Sequence, residues 1–142
     1  MKTDTHISQS EGETAEVGKR LAAGLTPGSV VLLYGDLGAG KTAFVKGLAA
    51  GLGIDPDEVN SPTFVLIQEY RGGRLPLFHA DLYRLDNRRE IEDLGLEELA
   101  ADAVLAIEWA DKLPWPMESP IEVRIEQGNG DCRTLRVSWP TA

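Results

Sequence analysis

Cysteine occurs once, as Cys132, in a chain of 142 residues. A single thiol excludes an internal disulfide and a cysteine-based zinc site. A reducing setting fits this usage, so a cytoplasmic location is expected. Long apolar runs are also missing. No stretch approaches the roughly 20 residues of a membrane span, and residues 1–16 are polar, without the apolar centre of a secretory signal. No membrane partner is expected. Basic residues are scarce: Lys and Arg number 14 against 23 Asp and Glu, a net charge of −9. That balance argues against a long nucleic-acid-binding surface, which depends on many phosphate contacts. Any RNA contact is expected to be made mainly by a partner. Acidity that serves only solubility is the plainer reading of the same charge. Repeats, linkers and low-complexity tracts are absent, which points to one domain over 1–142.

What is present is a regular alternation of strand and helix signals. Residues 3–8 read as a short strand. Ser10 and Glu13 fit a capping box, in which each side chain takes the other residue's free backbone N–H. A helix follows, with Thr14, Val17, Leu21 and Leu25 on one face. Val30-Val31-Leu32-Leu33-Tyr34 is a continuous apolar run, as in a strand buried on both faces. From Lys41, the residues Phe44, Val45, Leu48, Ala49 and Leu52 mark an amphipathic helix ending at Gly51 or Gly53. Segments 64–70 and 75–83 read as strands around the loop 71–74. Residues 87–100 read as a charged helix interrupted at Gly95, and 103–107 as a second buried strand. Segments 121–126 and 134–139 alternate around Gly128-Asn129-Gly130-Asp131, the pattern of a C-terminal hairpin. Together these elements predict a three-layer α/β fold with a mixed, mainly parallel sheet plus β-hairpins.

The chemistry concentrates in Gly35-Asp36-Leu37-Gly38-Ala39-Gly40-Lys41-Thr42, which fills every fixed position of G-x-x-x-x-G-K-[ST]. Glycines let the backbone curl until several N–H groups point at one phosphate. Lys41 brings positive charge to the β- and γ-phosphates. Thr42 offers a hard hydroxyl oxygen suited to Mg²⁺, and the helix beginning at Lys41 adds its positive end. The motif has the right flanks, a buried strand before and an amphipathic helix after, so the expected α/β fold is of the P-loop nucleotide-binding type. A metal-bound phosphate also needs an acid at the end of a neighbouring strand. Glu108, closing the apolar run 104–107, fits that role, with Glu where Asp is more usual. Asp81 in His79-Ala80-Asp81 competes for it, as a second metal ligand or as the group that orients an attacking water. Lys41, Asp81 and Glu108 are therefore the catalytic candidates, and Thr42, Asp81 and Glu108 the metal ligands. His79 reads equally as a structural histidine or as part of the site. Arg84 reads equally as a phosphate contact or a surface ion-pair partner. Trp109 has a nucleotide-side reading and a core reading. Ser61-Pro62-Thr63 has the hydroxyls of a γ-phosphate-sensing loop, although from residue chemistry alone a plain turn is the simpler reading.

The ordered set of the P-loop, Ser61-Pro62-Thr63-Phe64, His79-Ala80-Asp81-Leu82-Tyr83-Arg84 and Ile107-Glu108-Trp109 resembles the bacterial TsaE (YjeE) ATPase family over residues 8–139. The P-loop is shared by many families; the other three elements at these spacings are far more selective. The resemblance implies ATP and Mg²⁺ as cofactors. It implies that Ser61 and Thr63 belong to a switch-like loop at the nucleotide. It also implies a role in making threonylcarbamoyladenosine in the tRNA anticodon loop. The expected partners are TsaB and TsaD, which would hold the tRNA while this subunit hydrolyses ATP to support their turnover, slowly when alone. A small-molecule kinase and a nucleotide-dependent regulatory switch are the alternatives. A kinase would need a lid that is not evident in so short a chain, and no N-K-x-D guanine-reading motif is present.

Overall fold

The structure, a computed structural model, describes residues 2–35, 40–59 and 67–140. Their strands are β1 (Lys2–Ser8), β2 (Val30–Tyr34), β3 (Ile67–Tyr70), β4 (Leu77–Asp81), β5 (Val104–Glu108), β6 (Ile121–Gln127) and β7 (Arg133–Trp139). The helices are α1 (Glu11–Ala22), α2 (Lys41–Gly51), α3 (Arg88–Glu92) and α4 (Leu96–Ala100). All seven strands lie in one sheet, in the order β1-β7-β6-β2-β5-β4-β3. The central strands β6, β2, β5 and β4 are mutually parallel, and antiparallel partners close both edges. The expected mixed α/β fold is therefore observed, with the C-terminal hairpin formed by β6 and β7.

Side-chain alternation divides the core into two layers. Val31 and Leu33 of β2, with Val104 and Ala106 of β5, pack beneath α1 and α2. Val30, Leu32, Leu105 and Ile107 face the opposite way, toward Ile91 of α3 and Leu96 of α4. The continuous apolar runs of β2 and β5 follow from this double burial.

The layer above the site is unusually tight because α1 and α2 meet through glycines. A Cβ at Gly18 would lie 2.4 Å from the Phe44 carbonyl oxygen, and one at Gly47 would lie 1.8 Å from that of Ala15. Only glycine permits such an approach of the two backbones. The Ser10 hydroxyl caps α1 by accepting the N–H of Glu13 at 3.1 Å. The return half of the expected capping box is shifted by one residue: the Glu13 carboxylate accepts the N–H of Gln9, not that of Ser10. Helix α1 ends at Ala22, so the buried Leu25 belongs to the turn beyond it. Arg74 fastens this end by donating to the carbonyls of Ala22 (2.5 Å) and Leu25 (3.1 Å).

The segment 87–100 is two short helices rather than one interrupted helix. Gly95 adopts a left-handed φ of 65° and starts α4 afresh. Asn87 caps α3 by accepting the N–H of Glu90. Asp36 to Ala39 of the glycine loop, and Ser61 and Thr63 of the expected switch, lie outside the described residues.

Candidate nucleotide site

Because β2, β4 and β5 run parallel, their C-terminal ends share one edge of the sheet. Open α/β sheets bind ligands at that edge. Gly35 follows β2 there, Asp81 is the last residue of β4, and Glu108 is the last residue of β5. Asp81 and Glu108 are register partners, and paired residues of adjacent strands project to the same face. That face is the one covered by α1 and α2, since Leu77 and Ala106 point into the same layer. Helix α2 brings Lys41 and Thr42 to this edge. Its N-cap, Gly40, has a left-handed φ of 104° and no side chain to offer the first-turn amides. An uncapped helix start of this kind is suited to an anion.

Lys41 is buried, and its ammonium donates to the Gly35 carbonyl oxygen at 2.5 Å. The same ammonium stands 4.0 Å from the Trp109 ring centroid, within the range of a cation–π attraction. Trp109 holds a left-handed φ of 57°, an uncommon conformation for a bulky residue, and its ring stacks at a tilt on Tyr83, 4.9 Å between centroids. The backbone turn directly after β5 thus aims an indole at the P-loop lysine. Thr42 opens onto a groove of about 440 Å³ between α1 and α2, lined also by Glu11, Ala15, Lys19, Lys46 and Pro56.

The acidic groups differ in environment. Asp81 is half-buried, and its Oδ1 accepts the backbone N–H of Tyr83 at 2.9 Å. Burial pushes its carboxyl above the ordinary range, and the neighbouring Glu108 pushes it the same way. The Tyr83 N–H and the charges of His79 and Lys41 pull it back. Glu108 is almost fully buried, and its Oε2 lies 2.5 Å from His79 Nε2. His79 is wholly buried, and its Nδ1 has no hydrogen-bond partner among the described residues. The structure therefore gathers Lys41, Asp81, Glu108, Trp109 and His79 at one edge. Arg84 lies exposed beyond the end of β4. The link between His79 and Glu108 was not readable in advance, because 29 residues separate them and only the register of β4 on β5 makes them neighbours.

The family model for TsaE, described as threonylcarbamoyl adenosine biosynthesis protein TsaE, matches residues 8–135. The chain belongs to the TsaE family. A Bacillus subtilis protein named tRNA threonylcarbamoyladenosine biosynthesis protein TsaE is 45% identical over 128 residues, covering 87% of this chain and 77% of its own. A TsaE of the same name from Nostoc is 42% identical over 130 residues, covering 88% of this chain and 79% of its own. Among solved structures, the crystal structure of Bacillus subtilis YdiB superposes with a TM-score of 0.74 at 33% identity, covering 99% of this chain and 87% of that one. This TsaE-family chain thus has the fold expected of it. Among its described residues no helix is long and apolar enough to cross a membrane.

Proposed function

We propose that this protein is a Mg²⁺-dependent ATPase subunit that supports a TsaB–TsaD pair in making threonylcarbamoyladenosine on tRNA. The observation that carries the reading is the convergence of Lys41, at the start of α2, with Asp81 and Glu108, at the ends of two neighbouring parallel strands. The names of the relatives supply the pathway.

The donors suit Mg²⁺, a hard cation that takes a few carboxylate or hydroxyl oxygens and keeps phosphate and water as its other ligands. Thr42, Glu108 and Asp81 are the groups that would hold it. When bound, the ion neutralises charge on the phosphate oxygens. The protein's own part is positioning and electrostatics. The start of α2 and Lys41 bind the phosphates, so the lysine exchanges the Gly35 carbonyl and the Trp109 face for phosphate oxygens. Asp81 either completes the metal's ligands or orients the attacking water. Ser61 and Thr63 supply the hydroxyls of a loop that responds to the γ-phosphate. The acidic chain leaves tRNA to its partners, and a cytoplasmic site of action follows from the pathway.

The test is ATP turnover with Mg²⁺ by the protein alone and mixed with TsaB and TsaD, with Lys41→Ala as control. Slow turnover alone, stimulation by the pair, and loss of both nucleotide binding and turnover in the variant are expected. Unchanged turnover in Lys41→Ala, or no stimulation by a pair that demonstrably binds, would overturn the reading.

A further inference from the structure

Position 79 lies on the sheet face that packs beneath α1 and α2. Along β4 its neighbours on that face are Leu77 and Asp81, and across the sheet it pairs with Ala106 of β5 and Gln68 of β3. An aliphatic side chain would fill this place without desolvating a polar ring. The histidine is instead wholly buried, one ring nitrogen has no partner among the described residues, and the other lies 2.5 Å from Glu108. Holding that carboxylate is the one polar contact the ring makes among the described residues. Glu108 needs such a contact for two reasons. It is almost fully buried, and a buried carboxylate requires a donor. It is also a glutamate where aspartate is more usual, with an extra rotatable bond between backbone and carboxylate. Mg²⁺ demands near-ideal octahedral geometry, so a floppy ligand is a poor one. The ring engages Oε2 and leaves the other carboxylate oxygen, Oε1, unengaged by it.

We infer that His79 is a positioning residue: its ring clamps Glu108 so that one carboxylate oxygen is presented in fixed orientation to the nucleotide-bound metal. The inference rests on the ATPase reading above. It assigns His79 a role in metal affinity and turnover that a core-filling residue would not have. Partners that orient metal ligands in this way typically carry about 10- to 100-fold in metal affinity or activity.

The test compares His79→Gln, His79→Asn and His79→Leu. The Gln amide reaches roughly as far as Nε2 and can donate to Glu108; the Asn amide reaches only as far as Nδ1; Leu cannot donate. Three quantities are read: nucleotide binding in EDTA, the Mg²⁺ concentration that half-restores tight ATP binding in calorimetric titrations, and the melting temperature. In the Leu and Asn variants the Mg²⁺ midpoint is expected to rise about tenfold or more, with nucleotide binding in EDTA unchanged, and Gln is expected to recover most of the loss. In a Glu108→Gln background, His79→Leu should shift the midpoint no further, because contacting residues that act together are non-additive. This cycle reads the clamp even where His79→Leu lowers the melting temperature. A wild-type midpoint in His79→Leu would overturn the role. So would equal losses in Gln and Asn that track the melting temperature, or a further shift in the Glu108→Gln background. Wild-type protein that binds no Mg²⁺–ATP would overturn the ATPase reading and this one together. Variants that respond to Mg²⁺ as wild type does would overturn only the role of His79.

Discussion

Replacing Gly47 by alanine should loosen the protein where helix propensity alone says it should tighten. The new Cβ would stand 1.8 Å from the Ala15 carbonyl oxygen, 2.6 Å from its carbon and 2.9 Å from Cα. Ordinary contact begins at about 3.4 Å, so the helices must part by about 1.6 Å at that point. The clash is with backbone, which no rotamer change relieves. The contact is equally close along its length, because a Cβ added at Gly51 would lie 2.5 Å from Ala22 Cβ and one added at Gly18 would lie 2.4 Å from the Phe44 oxygen. Overpacking of this kind costs about 3 kcal/mol at the upper end of its usual range, against a propensity gain of about 1 kcal/mol. The net loss of about 2 kcal/mol corresponds to a melting temperature lower by roughly 6–8 °C. Since α2 carries Lys41 and Thr42, ATP binding should weaken with it. Gly12→Ala is the control: its Cβ would meet only Ser10 Oγ at 3.8 Å, so it should stabilise by about 0.5–1 kcal/mol. Thermal melts and calorimetric ATP titrations of both variants decide the matter. A Gly47→Ala protein that melts at or above wild type would refute the packing argument.

Two further variants, at Asp81 and Arg74, have definite expected outcomes beyond those already given for Lys41 and His79. The Asp81 carboxyl is held above its ordinary range by burial, so the folded protein binds that proton more tightly than the unfolded chain does. Stability is then lost as pH rises from the ordinary carboxylate value through the raised one. Asp81→Asn, which can still accept the Tyr83 N–H, should melt above wild type at pH 7 and converge with it in acid; coincident melting curves at both pH values would refute this. Asp81→Asn should also cut hydrolysis more than nucleotide binding if Asp81 orients water. Arg74→Met removes the bonds to Ala22 and Leu25 and should cost about 1–2 kcal/mol in urea denaturation. Its ATP affinity should not change, and a large fall in affinity would show that the loop 71–74 bears on the site.

Much of this was readable along the chain because it is local. The apolar runs of β2 and β5 announce strands buried on both faces. Ser10 announces the start of α1, and the glycine loop with Lys41 and Thr42 announces the phosphate end of α2. What was not readable depends on backbone geometry or on distant partners. Gly95 was visible as an interruption, but only its left-handed φ turns one helix into two. Glu13 was paired correctly in type and wrongly in address, since the choice between the N–H groups of Gln9 and Ser10 depends on the extended chain entering α1. His79 and Glu108 were each noted, yet their contact requires the parallel register of β4 on β5. The turn of Trp109 toward Lys41 depends on a positive φ that a tryptophan rarely adopts.

The placement of β1 has a consequence for how the protein comes into being. Among the described strands β1 pairs with β7 alone, and Thr3 bonds Ser138 across 135 positions. During synthesis the first strand therefore leaves the ribosome long before its partner exists. Contacts so distant in sequence are slow to form, and an unpaired edge is a template for wrong pairing while it waits. The waiting strand is suited to this: Lys2, Thr3, Asp4, Thr5 and His6 carry charge and polarity along most of its length. Ile7, at 58% exposure, is its one large apolar side chain in contact with solvent. The edge that completes the sheet last is thus also the one whose composition best tolerates delay.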